Sequence, residues 1–217
     1  MKRFLYLFLS GWLLAAAPAQ AQTSADADAE YTRVITRRAD KIVTPLELKD
    51  KDKALQVRDI IVAQYRYLNE VHTARDTQIK AAKAELKEDK DALEVRRKAI
   101  EEAAERKLDE RHQEYLARLS AKLTPQQVDQ VKDGMTYGVA PLTYRVYNEI
   151  LPNLTEQQKK QIKDWLEEAR EHAMDAGSSK KKHWWFGKYK GRINNYLSAA
   201  GYNMKEEEKK WKEREKI

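Results

Sequence analysis

The chain has 217 residues, a formal net charge of +7 and no cysteine. Lack of cysteine excludes disulfides, thiolate metal sites and a cysteine nucleophile, so a packed core must supply the stability. A charged fraction of 35% with only 7 Gly and 5 Pro excludes a loop-rich β-sandwich and favours long, solvated helices. The fold expected is all-α, a helical bundle with a protruding antiparallel helical hairpin.

The N-terminus reads Met1-Lys2-Arg3, then an apolar run from Phe4 to Ala17, then Ala19-Gln20-Ala21. A basic start, a short apolar stretch and an A-x-A site define a secretory signal. The run is shorter than the roughly 20 apolar residues a membrane span requires. Residues 1–21 are therefore expected to be a signal peptide cut after Ala21, and the protein to be periplasmic or secreted. Residues 22–203 are expected to form one helical domain with its hairpin at about 78–122, and 204–217 a charged helical tail.

Apolar residues recur at helical spacing through Tyr31, Val34, Ile35, Ala39 and Ile42. Thr44-Pro45-Leu46-Glu47 resembles a helix start, with Pro in the first turn and Glu in the capping-box position. The next helix carries Val57, Ile60, Ile61, Leu68 and Val71, running past His72 to about Leu86. Lys87 to Asp91 is a charged break, and a further helix holds Leu93, Ile100, Ala104, Leu108, Tyr115 and Leu119. Leu123-Thr124-Pro125-Gln126-Gln127 and Leu154-Thr155-Glu156-Gln157-Gln158 each pair a capping Thr with a Gln three residues on, the capping-box signature. The second opens a helix that buries Ile162, Trp165, Leu166, Ala169 and Ala173, with Gly177 as its C-cap.

The segment after Gly177 stands apart. Between Ala176 and Lys205 there is no Asp or Glu, against seven Lys or Arg. Such an excess attracts anions. Rings crowd the same window: His183, Trp184, Trp185, Phe186, Tyr189, Tyr196 and Tyr202. Flat aromatic faces suit the apolar C–H patches of a sugar, and Trp adds a polar N–H. Trp185, Tyr189, Ile193 and Leu197 fall at core spacing and are read as packing. The expected carbohydrate site is Trp184, Phe186 or Tyr196 for stacking, and Lys188 and Arg192 for acid groups. Asn194, Asn195, His183 and Asp175 complete it with hydroxyl contacts. Gly187 and Gly191, four apart on one helix face, allow close approach of a ligand or a backbone.

Other constellations carry less. Glu168, His172 and Asp175 share helical spacing and His183 could join them on a metal, but a polar face paired with its own bases explains the pattern as well. His112 is read as a structural histidine. His72, Arg75 and Asp76 could line a site or form a helix-end ion pair. Glu149, Asp164, Glu168 and Asp175 offer carboxylates for a glycosidase, yet no nucleophile motif or phosphate loop accompanies them. No cofactor, no metal and no catalytic residue is expected. Nucleic acid is disfavoured as partner by the export signal and membrane binding by the broken apolar face, and stable membrane insertion is not expected because no later segment is apolar enough to span a bilayer.

Two resemblances bear on function. The two Leu-Thr-x-x-Gln motifs resemble those of small periplasmic stress chaperones that form helical cradles. A stronger resemblance covers roughly Tyr31 to Asn203. It is carried by Ile60 to Asp76 with its Gln-Tyr-x-x-Leu-Asn at Gln64 to Asn69, by Tyr144 to Asn153, and by Trp165 to Tyr202. The last stretch contains Glu168-Ala169-Arg170-Glu171, Asp175-Ala176-Gly177-Ser178-Ser179 and the run from Trp185 to Tyr196. These resemble an exported bacterial family, the domain of unknown function 3826, to which sugar binding is ascribed. That resemblance implies a role in glycan utilisation and supplies no catalytic residue. A chaperone of the Leu-Thr-x-x-Gln type and a glycan-active enzyme are the alternatives.

Overall fold

A computed structural model describes residues 19–214, with side chains from residue 26 onward. The expected signal peptide lies outside the described residues except for the backbone of its last three. The chain divides into two units, Met1–Val34 and Ile35–Ile217. The described part of the first unit is helical, the opening of α1 (Ala19–Val43). The second unit holds the rest of α1 and seven more helices: α2 (Lys51–Glu85), α3 (Lys90–Ser120), α4 (Pro125–Met135), α5 (Val139–Ile150), α6 (Glu156–Met174), α7 (Ser179–Ala199) and α8 (Met204–Arg214). The described residues contain no strand, so the protein is all-α.

Local chemistry sets most helix ends. Thr124 and Thr155 both form the full capping box, with Gln127 and Gln158 reaching back to the cap amides. The start of α2 differs from the sequence expectation. Thr44–Leu46 is a lone 3-10 turn, after which Glu47 takes a left-handed φ of 50°. The helix begins six residues later than the Pro, where the Asp50 carboxylate accepts from the amides of Asp52 and Lys53 at 2.9 and 3.1 Å. An Asp oxygen satisfies two of the four unpaired N–H groups at once, which Thr44 does not do here.

The helices α2 and α3 form an antiparallel hairpin joined by residues 86–89. At 1.5 Å per residue α2 is about 50 Å long. Of the described residues 73–103, Ala82 alone is buried, so the outer part of the hairpin is held mainly by its own pairing. At the base, Arg111 donates to the fully buried Gln64 at 3.0 Å and ties the two helices together.

Two apolar clusters complete the second unit. One gathers Ala39, Ile42, Val57, Ile61, Tyr115 and Met135 from α1 to α4. The other gathers Tyr147, Ile162, Leu166, Phe186, Ile193 and Leu197 from α5 to α7, with Trp211 of α8 packed against it. Each fully buried aliphatic or aromatic side chain contributes roughly 1.5–3 kcal/mol. The joining element is α6, whose Met174 belongs to the first cluster while Leu166, Ala169 and Ala173 belong to the second. Its C-terminal end therefore sits where the hairpin base meets α7.

Candidate functional site

The helix α7 starts at Ser178, whose hydroxyl accepts from the Lys181 amide at 3.2 Å. Its buried stripe is Lys182, Phe186, Tyr189, Ile193 and Leu197. Phe186 is only 2% exposed, so it packs in the core and presents no face for stacking; the expected role is corrected. The reason is geometric. Residues 186, 189, 193 and 197 follow the i, i+3, i+7, i+11 line of one helix face, and Phe has no polar atom to satisfy there. Trp185, expected in that stripe, stands at its edge, half-buried.

Outside the stripe, α7 carries a belt of rings. Trp184 is 58% exposed and meets Trp185 edge to face at 4.9 Å. Trp185 in turn stacks on His172 of α6, with centroids 4.3 Å apart and planes 14° from parallel. On the other side, His183 stacks on Tyr137 at 5.8 Å. Tyr137 occupies the turn after α4 with φ at 61°, followed by Gly138 at 65°. The left-handed conformation costs an L-residue about 1–2 kcal/mol, and Tyr137 adopts it with its side chain 56% exposed. Lys188 lies over both indoles, 5.8 Å from Trp184 and 4.8 Å from Trp185.

A hollow of about 340 Å³ opens beside this belt, walled by Glu168, His172, Trp185, Lys188, Tyr189 and Arg192. Arg192 covers the Trp165 ring at 4.6 Å and reaches Glu168 at 3.6 Å, yet remains half exposed. Burial, joined by the hydrogen bond to Glu168, pushes the Tyr189 hydroxyl up to about 12, so it stays a donor. Tyr196 meets Trp165 edge to face at 5.3 Å and is half-buried. Asn194 accepts from the Tyr147 hydroxyl at 2.7 Å, while Asn195 is exposed. Lys180, Lys181, Lys188 and Lys190 have no carboxylate partner among the described residues, unlike the many cations of α3 and α6 paired at i, i+3 or i, i+4.

A second, larger cleft of about 410 Å³ lies between the hairpin and the α6–α7 corner and shares the His172–Trp185 wall. Its floor is an ordered set of charges. Arg75 points Nη1 at His72 Nδ1 at 2.9 Å, and His72 Nε2 meets the Asp175 carbonyl at 2.7 Å. Arginine only donates, so Nδ1 accepts and the proton sits on Nε2. Burial holds His72 below its ordinary range, which agrees with a neutral ring. His112 is the opposite case. Its Nδ1 lies 2.6 Å from Asp175 Oδ2 and its Nε2 3.2 Å from Glu171 Oε2. The hydrogen bonds it donates, to Asp175 first and then to Glu171, raise it to about 9, so both nitrogens carry protons at neutral pH. Lys132 adds a second cation on Glu171 at 3.0 Å. Burial opposes ionisation of Glu171, but its bonds to His112 and Lys132 hold it below the usual range.

Asp175 thus ties α6 to both hairpin helices, through its carbonyl to His72 and its carboxylate to His112. That clamp takes one carboxylate oxygen, and the other is buried with no hydrogen-bond partner among the described residues. His183 turns to Tyr137 rather than towards Glu168, His172 and Asp175, and no cluster of three such side chains suited to a metal occurs among the described residues. Gly177 has no left-handed φ and does not cap α6 as expected. A Cβ there would fall 2.6 Å from the His72 ring, so the glycine admits the histidine. The pairing of His72, His112 and Asp175 escaped sequence reasoning because it joins residues 103 and 63 apart. The polar runs around His72 and Asp175 were the available signals.

These features define an all-α protein whose seventh helix presents rings and unpaired cations above two adjoining clefts. The family model described as a protein of unknown function (DUF3826) matches residues 32–217, and the chain belongs to that family. Comparison with curated proteins gives no match. No helix among the described residues is long and apolar enough to cross a membrane.

Proposed function

We propose that this is an exported carbohydrate-binding protein of glycan utilisation, and that its ligand is an acidic saccharide held at α7. The observation that carries the reading is the Trp185–His172 stack standing between the two clefts with Trp184 exposed and Lys188 over both indoles. Indole faces take the apolar side of a sugar ring. Lys188 and Arg192 supply positive charge for a carboxylate in the smaller hollow. In the larger cleft, Glu105 and Asp109 of α3 have no ion-pair partner among the described residues and are free to accept from hydroxyl groups. The basic start and A-x-A site of the N-terminus support export.

The test is calorimetric titration with oligosaccharides from acidic and neutral polysaccharides. Trp184→Ala and Lys188→Ala remove exposed side chains, so the fold should survive, as read by circular dichroism. Each is expected to weaken an acidic ligand about tenfold, roughly 1.4 kcal/mol. The Lys188 effect should shrink at high salt. Binding that both variants leave intact places the ligand elsewhere, and no binding across the panel removes the reading.

A further inference from the structure

We infer that the ligand is a linear chain of several sugar units that crosses the N-terminal half of α7, with Tyr137 and His183 as its far contact. This rests on the carbohydrate reading and concerns the length and course of the ligand.

Three successive residues of α7, His183, Trp184 and Trp185, all bear rings. Successive side chains on a helix turn by about 100°, so His183 and Trp185 lie on opposite flanks with Trp184 between them. Each flank is extended by a ring from another element: Tyr137 on His183, His172 on Trp185. The belt is therefore wider than the helix itself, which measures about 10–12 Å with its side chains. A single sugar ring would cover one indole and leave the rest of the belt without a role.

Tyr137 is the telling residue. The position after α4 favours Gly, and the left-handed backbone there disfavours a bulky side chain. The ring gains little burial in return, being 56% exposed. The turn closes α4 through the Gly138 amide on the Asp133 carbonyl at 2.8 Å, a role glycine fills without strain, and residues kept in a strained backbone cluster at functional sites. The floor of the belt is also open. Gly187 and Gly191 lie on the face of Trp184 and Lys188, and a Cβ at either would meet no atom within 4 Å. Two missing side chains in an exposed helix leave room for a chain to lie against the backbone. The charge agrees with an acidic polymer, since α7 has no Asp or Glu and its four exposed lysines have no carboxylate partner among the described residues.

The experiment titrates the full chain with size-fractionated oligogalacturonides, from monomer to octamer, beside neutral cello-oligosaccharides of the same lengths. Affinity for the acidic series should climb about tenfold or more from the dimer to the octamer. Tyr137→Ala and, separately, His183→Ala should remove most of that gain, costing the octamer far more than the dimer. Trp184→Ala should weaken both. Affinity that is flat with length, or a gain that survives both flank variants, overturns the extended site while leaving carbohydrate binding in place. Gain along the neutral series alone overturns the acidic class. No binding in either series overturns this inference and the reading it rests on.

Discussion

His112 bridges two carboxylates of α6, with Nδ1 at 2.6 Å from Asp175 and Nε2 at 3.2 Å from Glu171. The ring is protonated in the fold up to about pH 9, against an unfolded value near 6.5. Its extra stability is complete below pH 6.5 and is lost as pH rises through 9. The shift corresponds to about 3 kcal/mol, and the side chain is only 13% exposed. Lys182 works in the other direction. Burial lowers it to about 8, so its ammonium costs stability that is recovered between about pH 8 and 10.5. Comparing the protein with His112→Asn cancels that background. The gap in urea stability should be largest near pH 6 and shrink to pH 9. A gap independent of pH sinks the clamp.

Gly177 and the two glycines of α7 should respond oppositely to alanine. At Gly177 the new Cβ meets the rigid His72 imidazole at 2.6 Å, and overpacking of this kind costs about 1–3 kcal/mol. At Gly187 and Gly191 the Cβ meets nothing, so alanine should stabilise the helix by up to about 1 kcal/mol. Thermal melts of the three variants decide it, and a neutral Gly177→Ala contradicts the close approach.

Thr155 caps α6 with its hydroxyl 3.2 Å from the Gln158 amide, and Gln158 returns the bond at 2.9 Å. Thr155→Ala should lose about 1 kcal/mol in denaturant unfolding. Thr155→Ser should recover most of it. The same pair at Thr124 should behave alike, and equal stability of Ala and Ser variants would show that the box contributes nothing.

Tyr137→Gly should exceed Tyr137→Ala in stability by about 1 kcal/mol. Both lose the ring on His183, but only glycine relieves the left-handed φ of 61°. Equal melting temperatures of the two variants contradict a strained backbone at this turn.

Several elements could be read directly from residues. The two capping boxes form because their chemistry is local: a Thr, and a Gln three residues on. The stripe Ile35–Ala39–Ile42 and the face Val57–Ile60–Ile61–Leu68–Val71 are buried because helical period dictates which residues share a face. The acid-free run of α7 was equally plain. At Thr44 local spacing misleads, since Asp50 takes the role of cap six residues on and satisfies two amides.

The sequence alone determined that this chain is helical, where most of its helices begin and that one of them is basic and ring-rich, because each of these depends on residues within a turn or two of one another. It could not decide that Phe186 rather than Trp185 faces inward, since both lie within one period of the same stripe and only the packing of α5 and α6 against α7 selects between them. Nor could it bring His72 and His112 to Asp175. The register of a long hairpin against the end of α6 arises from the whole core, and that register places two charged clefts on either side of the Trp185–His172 stack.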